Sequence, residues 1–222
     1  VAFDPSGPTF RHEAYEQYKA QREETPEAIR LSVPIIKDII RAYRIPILEV
    51  AGYEADDVIG TLATKAGQQG ITTYMMTPDK DYGQLVTEHV FMYRPKYGDK
   101  EFEVMGIEQV KAKFDIQSPS QVIDMLGLMG DASDNIPGCP GVGEKTAQKL
   151  IAEFGNIENL LEHTDQLKGA LKTKVETNRE MITFSKFLAT IKTDVPIELD
   201  MSALVREQPD EEALRKIFEE LE

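Results

Sequence analysis

Segments with strand character occur only in the first half of this 222-residue chain. Runs of apolar, β-branched and aromatic residues bounded by turn residues predict extended segments at 1–4, 46–50, 71–77, 88–94 and 101–105. The segment 71–77 is predicted to be a buried strand, and the last two segments to form a hairpin around Tyr97, Gly98 and Asp99. Helices are predicted over 11–24, from residue 25 onward and over 54–68. This alternation indicates a layered α/β core.

The second of these helices has an apolar stripe. Its aliphatic residues recur at spacings of three and four, which places them on one helical face: Ile29, Val33, Ile36, Ile39 and Ile40. We expect this face to pack against the core.

After residue 118 the strand pattern ends. Helical patterns follow at 120–129, 144–153, 157–162, 167–174, 179–188 and 210–221, with a short extended piece at 195–200. The sequence therefore predicts two units, an α/β core over 1–118 and an all-helical part over 119–222.

Composition limits the kinds of site that the chain can build. Cys139 is the only cysteine, which excludes an internal disulfide and a cysteine-based zinc site. The three histidines, His12, His89 and His163, are scattered along the sequence. No apolar run approaches the roughly 18 residues that a membrane helix needs. We expect a soluble, cytoplasmic, monomeric protein.

The net charge has two interpretations. Thirty-nine acidic residues against 25 basic ones leave a formal charge of −14, whereas nucleic-acid binders are usually basic. The acids are either a solubilising surface or ligands for divalent cations, with the basic residues gathered elsewhere. The position of the acids in the sequence decides between these interpretations.

Many of the acids lie at the ends of predicted elements: Asp4; Glu54, Asp56 and Asp57 in GYEADD; Asp79 and Asp81 in TPDKD; Asp131 and Asp134 in GDASDN. Ligand sites in open α/β sheets form beyond the carboxyl ends of strands, where Asp4, Asp79 and Asp81 are expected. Eight converging carboxylates would repel one another strongly unless cations neutralised them. Oxygen ligands without convergent histidine or cysteine favour Mg²⁺ or Mn²⁺.

Each acidic motif also has a local explanation. Acids in a first helical turn are favoured by the helix dipole, as in GYEADD. The TPDKD segment and Asp4, which precedes a proline, are both compatible with turns. The metal-site interpretation therefore depends on the complete set rather than on any one motif.

Four motifs resemble, in order and spacing, the 5′ nuclease domain of the bacterial DNA polymerase I family, which is related to the flap endonucleases: FDPSGPTFRHEAYEQYKAQR, GYEADDVIGTLA, TPDKDYGQLV and LMGDASDNIPGCPGVGEKTAQKLIAEFG. The resemblance covers essentially the whole chain. It implies a mixed-sheet, PIN-like α/β nuclease core with a helical arch, followed by an all-helical helix–hairpin–helix (SAM-like) subdomain.

The resemblance also implies a chemistry, the hydrolysis of DNA phosphodiesters with two divalent ions, Mg²⁺ or Mn²⁺. Two ions about 4 Å apart lower the pKa of a water and stabilise both oxygens of an in-line displacement. On this basis Asp4, Glu54, Asp56, Asp57, Asp79 and Asp81 form the inner metal site, and Asp131 with Asp134 helps to hold the second ion. No side-chain nucleophile is needed.

Basic residues in TFRHEAYEQYKAQR match the arch of that family. Arg11, Lys19 and Arg22 are implied to contact the scissile phosphate, and Tyr18 to stack on a base. Lys19 and Arg22 are three residues apart, so a helix over 11–24 would place them on one face. The alternative is an ordinary solvated helix face.

The segment IPGCPGVGEKTAQKLI predicts a duplex-binding hairpin. Gly138, Gly141 and Gly143 allow close approach of a phosphate to the backbone, and a helix amino terminus follows with free N–H groups. The DNA-contact set is completed by Lys145, Thr146 and Lys149. Such a hairpin contacts backbone rather than bases, so binding is expected to be independent of sequence. A plain glycine turn is the alternative.

Three classes of function remain open. The first is a structure-selective 5′-3′ exonuclease and flap endonuclease that acts on flaps, nicks and forked duplex in primer removal and repair, in the bacterial nucleoid and in one polypeptide with the rest of a polymerase. The second is a non-catalytic junction-binding module with a degenerate metal site. The third is an acidic protein that binds cations for structural reasons.

The sequence departs from the family pattern at its amino terminus. The family has a further acid in an Asp-Gly motif on a central strand, and no equivalent occurs here. We therefore expect the extreme amino terminus of the domain to be missing and the chain alone to cleave poorly. Pro78 stands where the family often has glycine, a minor difference.

Overall fold

The computed structural model of the chain describes residues 1–96 and 101–221, so the turn predicted at residues 97–99 lies outside the described residues. Its helices are α1 Phe10–Ala14, α2 Glu27–Ala42, α3 Ala55–Gln68, α4 Ile107–Phe114, α5 Val122–Met129, α6 Glu144–Phe154, α7 Ile157–Glu162, α8 Gly169–Thr177, α9 Arg179–Ala189 and α10 Glu211–Leu221. Its strands are β1 Thr73–Met76, β2 Val90–Pro95 and β3 Phe102–Met105. The order of elements confirms an α/β part followed by helices.

The three strands form one mixed sheet in the order β1-β2-β3. β1 runs parallel to β2, so the chain between them has to cross back to the end of the sheet where β1 began. β2 pairs with β3 in antiparallel register, with Met92 opposite Met105. The prediction that the first strand is buried was wrong. Only Met75 is enclosed, because α3 covers one face of β1, whereas Tyr74 and Met76 on the other face are 57% and 73% exposed.

The strand predicted at 46–50 is reduced to a single parallel bridge between Ala2 and Leu48. Phe3 N–H donates to the Leu48 carbonyl at 3.0 Å, and Leu48 N–H donates to the Val1 carbonyl at 2.9 Å. Pro46 lacks an N–H group, so pairing cannot extend through it as a donor. The bridge nevertheless holds residues 1–4 beside the segment that leads to α3.

α5 lies at the centre of the core. Met125, Leu126 and Leu128 are completely enclosed, and α6, α7 and α9 all pack against this helix. α9 can approach closely because Gly127 has no Cβ. A Cβ at this position would lie only 2.9 Å from Lys186 Cβ. A mostly apolar helix without a polar face belongs inside the molecule, where burial of its side chains stabilises the fold.

The helix predicted over 11–24 was wrong beyond its first turn. α1 ends at Ala14, Tyr15 is extended, and Lys19 has a positive φ of 55°. Tertiary hydrogen bonds replace the helical ones, since Lys19 N–H donates to the Asp134 carbonyl at 2.9 Å and the Asn135 side-chain amide donates to the Gln17 carbonyl at 2.6 Å. Local periodicity does not include such long-range partners.

The apolar stripe of α2 is also less buried than predicted. Ile29 and Ile36 are exposed, while Val33, Ile39 and Ile40 are half-buried. α10 packs against α2, but both helices lie at the surface, with no buried residue in α10 and only Ala42 buried in α2. A 3.6-residue stripe identifies the face of a helix without identifying what covers it.

The remaining helices lie within a few residues of their predicted positions, apart from α4, which the sequence interpretation missed. The segment 195–200 contains no strand. Within residues 1–96 and 101–221, no helix combines the length and the apolar character that crossing a membrane would require.

Truncation of the core helix tests this architecture. Leu126→Ala is expected to lower the free energy of unfolding by about 2–5 kcal/mol, because the side chain is fully enclosed and the vacated space cannot collapse completely. The matched control is Leu31→Ala, at a position that is 64% exposed in α2, with an expected change of about 0.5 kcal/mol or less. Urea unfolding followed by circular dichroism measures both, and equal effects would contradict the central position of α5.

Candidate functional site

Acidic side chains meet at the amino terminus of α3. Glu54 is its N-cap residue, and the Asp57 carboxylate accepts from the Glu54 backbone N–H at 3.1 Å, an arrangement that satisfies a free helical donor. Asp4 Oδ1 accepts from the Ala55 N–H at 2.8 Å. Asp56 lies in the same first turn, where the helix dipole favours negative charge.

The loop after β1 brings a second acidic pair to this helix end. Asp79 caps a short 3₁₀ turn and accepts from the Asp81 N–H at 2.9 Å. The next residue, Tyr82, is buried, and its hydroxyl donates to Asp56 Oδ1 at 2.6 Å. This hydroxyl fixes the loop against α3 and so places Asp81 beside Asp56.

The loop after α5 supplies the third pair. Asp131 is buried, with Lys80 Nζ 2.6 Å from its Oδ2 and Ser133 bonded to its Oδ1. Asp134 faces the segment 15–25, and Arg22 Nη2 lies 2.5 Å from its Oδ1. A single bridge between Asp131 and Ile136 closes this loop.

Tyr18 and Lys19 join the first and third groups of acids. The Tyr18 hydroxyl donates to Glu54 Oε2 at 3.0 Å and contacts Asp134 Oδ2 at 3.3 Å. Lys19 Nζ lies 2.5 Å from Glu54 Oε1 and 3.7 Å from Asp134 Oδ2. The two carboxylates therefore share a phenol and an ammonium group.

Arg11 lies beneath these residues and is only 2% exposed. Its guanidinium donates to Glu54 and, through both terminal nitrogens, to Asp57, each at 2.8 Å. Two further donors reach the carbonyls of Leu188 at 2.9 Å and Thr190 at 2.6 Å. All five N–H groups of the side chain are thus used inside the protein.

A small cavity opens between these groups, walled by four carboxylates that we call the acidic centre: Glu54, Asp56, Asp81 and Asp134. Its free volume of about 20 Å³ is comparable to that of one water-sized sphere. Among the residues that the structure describes, the enclosed Asp81 Oδ1 has no hydrogen-bond partner. A buried oxygen of this kind costs free energy unless a ligand satisfies it.

Burial and mutual repulsion raise the pKa of two members of the acidic centre. Burial is the main cause for Asp81, whose pKa rises to about 7, with Asp79 as the next contributor. The pKa of Asp56 rises to about 6, again mainly through burial, although the Tyr82 hydroxyl opposes the shift. Both carboxyls hold a proton more tightly than an exposed aspartic acid.

In the described parts of the chain, no three acidic, histidine or cysteine side chains are arranged so that together they could hold a metal ion in this conformation. The carboxylates instead contact basic side chains of the protein itself: Arg11, Lys19, Arg22 and Lys80. Intramolecular cations thus provide part of the neutralisation that the sequence assigns to metal ions.

The predicted hairpin lies at the other end of this loop, and we call residues 138–143 the glycine turn. Gly138 and Gly141 have positive φ angles of 63° and 76°, and Gly143 is the N-cap residue of α6. Lys145 and Lys149 are exposed on one face of α6, and Thr146 is half-buried between them. The helix amino terminus and these two ammonium groups supply positive charge there, beside the exposed Glu144 of the first turn.

Comparison with known proteins decides the family. A model described as "5'-3' exonuclease, N-terminal resolvase-like domain" matches residues 1–115, and one described as "5'-3' exonuclease, C-terminal SAM fold" matches residues 117–212. The chain belongs to the 5′-3′ exonuclease family. The two family models match consecutive parts of the chain, the amino-terminal domain first and the SAM fold second.

Relatives of this exonuclease domain include DNA polymerase I of Bacillus caldotenax, which is 44% identical over 222 residues, covering 100% of this chain and 25% of that protein. The thermostable DNA polymerase I of Thermus filiformis is 44% identical over 223 residues, covering 100% of this chain and 26% of its own length. The chain thus spans about a quarter of the curated relatives that it matches. The resemblance to the polymerase I nuclease domain is confirmed.

Solved structures share the exonuclease fold. The T5 5′-exonuclease with bound zinc gives a TM-score of 0.73 at 21% identity, covering 100% of this chain and 83% of that one. The catalytic core of Rad2 in complex with DNA gives 0.63 at 18% identity, covering 99% and 72%. These likenesses confirm the predicted mixed α/β and helical architecture.

The exonuclease residues predicted from the arch motif do not all occupy the positions expected of them. Arg11 was expected to face a phosphate, but it is enclosed with every donor used. Tyr18 was expected to stack on a base, but it is buried, with its hydroxyl on two carboxylates. Lys19 and Arg22 lie on a turn rather than on a helical face, because the segment 15–25 folds onto the loop at 131–135.

The predicted metal ligands also separate into groups. The acidic centre contains four of them, Asp4 and Asp79 lie at its exposed rim, and Asp131 is paired with Lys80. Asp57 does not line the cavity, since both its oxygens face Arg11 and backbone donors. Convergence of the acids is therefore substantial but incomplete.

Two residues of the site were not predicted from the sequence. Tyr82 and Lys80 both lie within the TPDKDYGQLV motif, beside the aspartates that were singled out. A tyrosine directly after an acidic turn was the available signal, because a phenol that becomes enclosed needs a polar partner. Lysine between two aspartates gave no indication that its partner would be Asp131.

A pH dependence follows from the raised pKa of Asp81. The unfolded carboxyl ionises near its ordinary value of 3.8 and the folded one near about 7, so ionisation increasingly destabilises the native state as pH rises between these values. In metal-free buffer with a chelator, Asp81→Asn should therefore be more stable than the wild type at pH 8. The expected gain in the free energy of unfolding is on the order of 1–3 kcal/mol, since solvent screening at this partly exposed side chain reduces the effect of the shifted pKa.

The advantage of Asp81→Asn should largely disappear as pH falls to about 4, where the folded wild-type carboxyl is already protonated and the unfolded one begins to be. Thermal unfolding of both proteins across this pH range is the measurement. An advantage that is the same at pH 4 and pH 8 would show that charge at residue 81 does not burden the fold.

The glycine turn gives a second prediction. A Cβ at Gly138 would lie 2.3 Å from the backbone nitrogen of Gly130, at a positive φ, so Gly138→Ala should destabilise the protein by about 2 kcal/mol or more. Gly143→Ala is the control, since nothing lies within 4 Å of its Cβ position and only the N-cap preference changes, by about 1 kcal/mol at most. Urea unfolding of the two variants would contradict this packing role if they behaved alike.

Proposed function

We propose that this chain is a structure-selective 5′-3′ exonuclease and flap endonuclease, which hydrolyses DNA at flaps, nicks and forks with two divalent ions, Mg²⁺ or Mn²⁺. We further propose that it works as a monomeric unit of a bacterial DNA polymerase I, in the cytoplasm, in primer removal and repair. The observation that supports this most directly is Asp81, which walls a cavity together with three other carboxylates and whose enclosed Oδ1 has no hydrogen-bond partner among the described residues.

The donor set fits hard divalent cations. Four wall residues offer carboxylate oxygen, the ligand that Mg²⁺ and Mn²⁺ prefer. Asp56 and Asp81 hold protons more tightly than usual, and a nearby cation would remove this penalty. Glu54, Asp56, Asp81 and Asp134 would hold the ions, and Asp4, Asp79 and Asp131 would contribute through water.

When bound, the two ions would supply an activated water and stabilise the leaving oxygen of the phosphodiester. The residues of the chain orient the substrate. Lys19 and the half-exposed Arg22 contact carboxylates of the acidic centre, so a phosphate approaching these carboxylates would meet their cationic groups. Tyr18 maintains the spacing of Glu54 and Asp134 by donating to one and contacting the other.

The glycine turn and α6 would hold the duplex. Lys145 and Lys149 are exposed on the helix that begins at Gly143, where backbone N–H groups and ammonium groups suit a DNA phosphate. Such contacts do not distinguish bases, so recognition depends on the shape of the junction. The helical unit that begins near residue 119 is in this proposal the duplex-binding part.

The comparisons support the proposal at the level of the family. The relatives at 44% identity are DNA polymerases, and the structures of the same fold include one with bound zinc and one in complex with DNA. An excess of acids is compatible with DNA binding where charge is segregated: four acids wall the acidic centre, while Lys145 and Lys149 are exposed on α6.

The proposal predicts Mg²⁺-dependent cleavage of a 5′-flap oligonucleotide. Single-turnover assays with enzyme in excess are required, because they register slow cutting as well as fast cutting. Asp81→Asn and Asp134→Asn should lower the cleavage rate by about 100-fold or more, because each removes a charged oxygen from the acidic centre. Flap binding, measured by fluorescence anisotropy in Ca²⁺, should change by less than about threefold.

The matched control is Lys145→Gln with Lys149→Gln, which should weaken flap binding and reduce its salt dependence while the rate at saturating enzyme is kept. A wild type that binds flaps but never cuts, even when the Asp-Gly strand of the family is supplied at its amino terminus, would favour the non-catalytic junction-binding module instead. A chain with no affinity for forked DNA would favour a structural cation-binding protein.

A further inference from the structure

We propose that Arg11 and Asp57 are positioning residues, forming a buried clamp that orients Glu54 by joining the start of α3 to the end of α9, and that Asp57 is not a metal ligand. This inference rests on the proposed nuclease function for its catalytic consequence. The geometry of the clamp itself is independent of that function.

Asp57 has no acceptor site left for a metal ion. Its Oδ1 accepts from Arg11 Nη2 and from the Lys192 N–H, both at 2.8 Å, and its Oδ2 accepts from Arg11 Nη1 at 2.8 Å and from the Glu54 N–H at 3.1 Å. An ionised carboxylate has about four lone-pair sites, and all are used. The side chain is also 0% exposed.

Asp81 shows the opposite arrangement. It lines the cavity of the acidic centre, and among the described residues its enclosed Oδ1 accepts no hydrogen bond. Both carboxylates lie near the start of α3, but one is saturated by the protein and the other has an acceptor to spare. Sequence position alone would assign the two residues the same role.

Glu54 is divided between the clamp and the cavity. Its Oε2 accepts from Arg11 at 2.8 Å and from the Tyr18 hydroxyl at 3.0 Å, whereas its Oε1 faces the ammonium group of Lys19 at 2.5 Å. The clamp therefore fixes one oxygen and presents the other to a cation. Holding one side of a ligand by buried donors is how outer residues orient a metal site.

The clamp also connects the two parts of the chain. Arg11 donates to the carbonyls of Leu188 and Thr190 at the end of α9, and Lys192 donates back to Asp57. Gln84 strengthens this connection, because its amide donates to the Ala189 carbonyl at 3.0 Å and its carbonyl accepts from the Ile191 N–H at 2.8 Å. Displacement of α9 would therefore be transmitted to Glu54.

Asp57→Asn and Asp81→Asn form a matched pair for testing this inference, since each replaces one carboxylate oxygen by an NH2 group and removes the negative charge. Binding of Mn²⁺ alone is measured by isothermal titration calorimetry, and the melting temperature is measured in chelator. For Asp57→Asn we expect Mn²⁺ affinity to fall by about tenfold at most, with a melting temperature lower by about 10 °C, because a buried ion pair is broken. For Asp81→Asn we expect affinity to fall by about 100-fold or more without a lower melting temperature.

Arg11→Lys tests the positioning role in flap cleavage. Lysine keeps the charge but has three donors for five acceptors, so Glu54 loses orientation. The turnover number should fall by about tenfold or more, with a KM for the flap within about threefold of wild type. A raised KM with an unchanged turnover number would assign Arg11 to substrate binding and overturn the inference.

Loss of Mn²⁺ binding in Asp57→Asn without a change in melting temperature would also overturn it, because Asp57 would then be a ligand. If Asp57→Asn does not fold, the pair Arg11→Met with Asp57→Leu removes both charges together and leaves no uncompensated ion. That double variant should retain Mn²⁺ affinity within about tenfold, and loss of binding in a folded double variant would contradict the clamp. If the wild type never cuts DNA, the proposed function fails, while the Mn²⁺ and melting arms still decide the clamp.

Discussion

The buried guanidinium of Arg11 is the contact on which the acidic centre depends. It neutralises two carboxylates at the start of α3 and, through carbonyls at 188 and 190, fixes that helix end to the helical part of the chain. Breaking such a buried ion pair leaves uncompensated charge in a region of low dielectric constant. The fold can therefore gather many acids at one place because this residue, with Lys19 and Lys80, lies among them.

Much of the fold was accessible from the sequence, for physical reasons that differ between elements. Helix ends depend on local backbone chemistry, as at the N-cap residues Glu54 of α3 and Asn156 of α7, and these two helices lie close to their predicted ranges of 54–68 and 157–162. The segment 15–25 could not, since its conformation depends on bonds to the loop at 131–135. The bridge at Leu48 depends likewise on a distant partner.

The composition of the candidate site was predicted better than its internal arrangement. Three acidic motifs meet in space, since Glu54, Asp56, Asp81 and Asp134 line one cavity at the ends of elements that pack side by side. Which carboxylate is saturated and which is free depends on individual donors, such as the backbone N–H at 192. Neither spacing nor family resemblance contains that information.

The loop between α5 and α6 has a mechanical consequence. Cys139 N–H bonds to the Leu128 carbonyl, Gly138 fits against Gly130, and the bridge between Asp131 and Ile136 closes the loop. The glycine turn and the aspartates of this loop are thus both held against the carboxyl end of α5, and neither can shift without the other. The distance between the turn and the carboxylates is therefore fixed. A DNA strand bound at the glycine turn would reach the carboxylates at the same number of nucleotides from that contact, whatever its sequence.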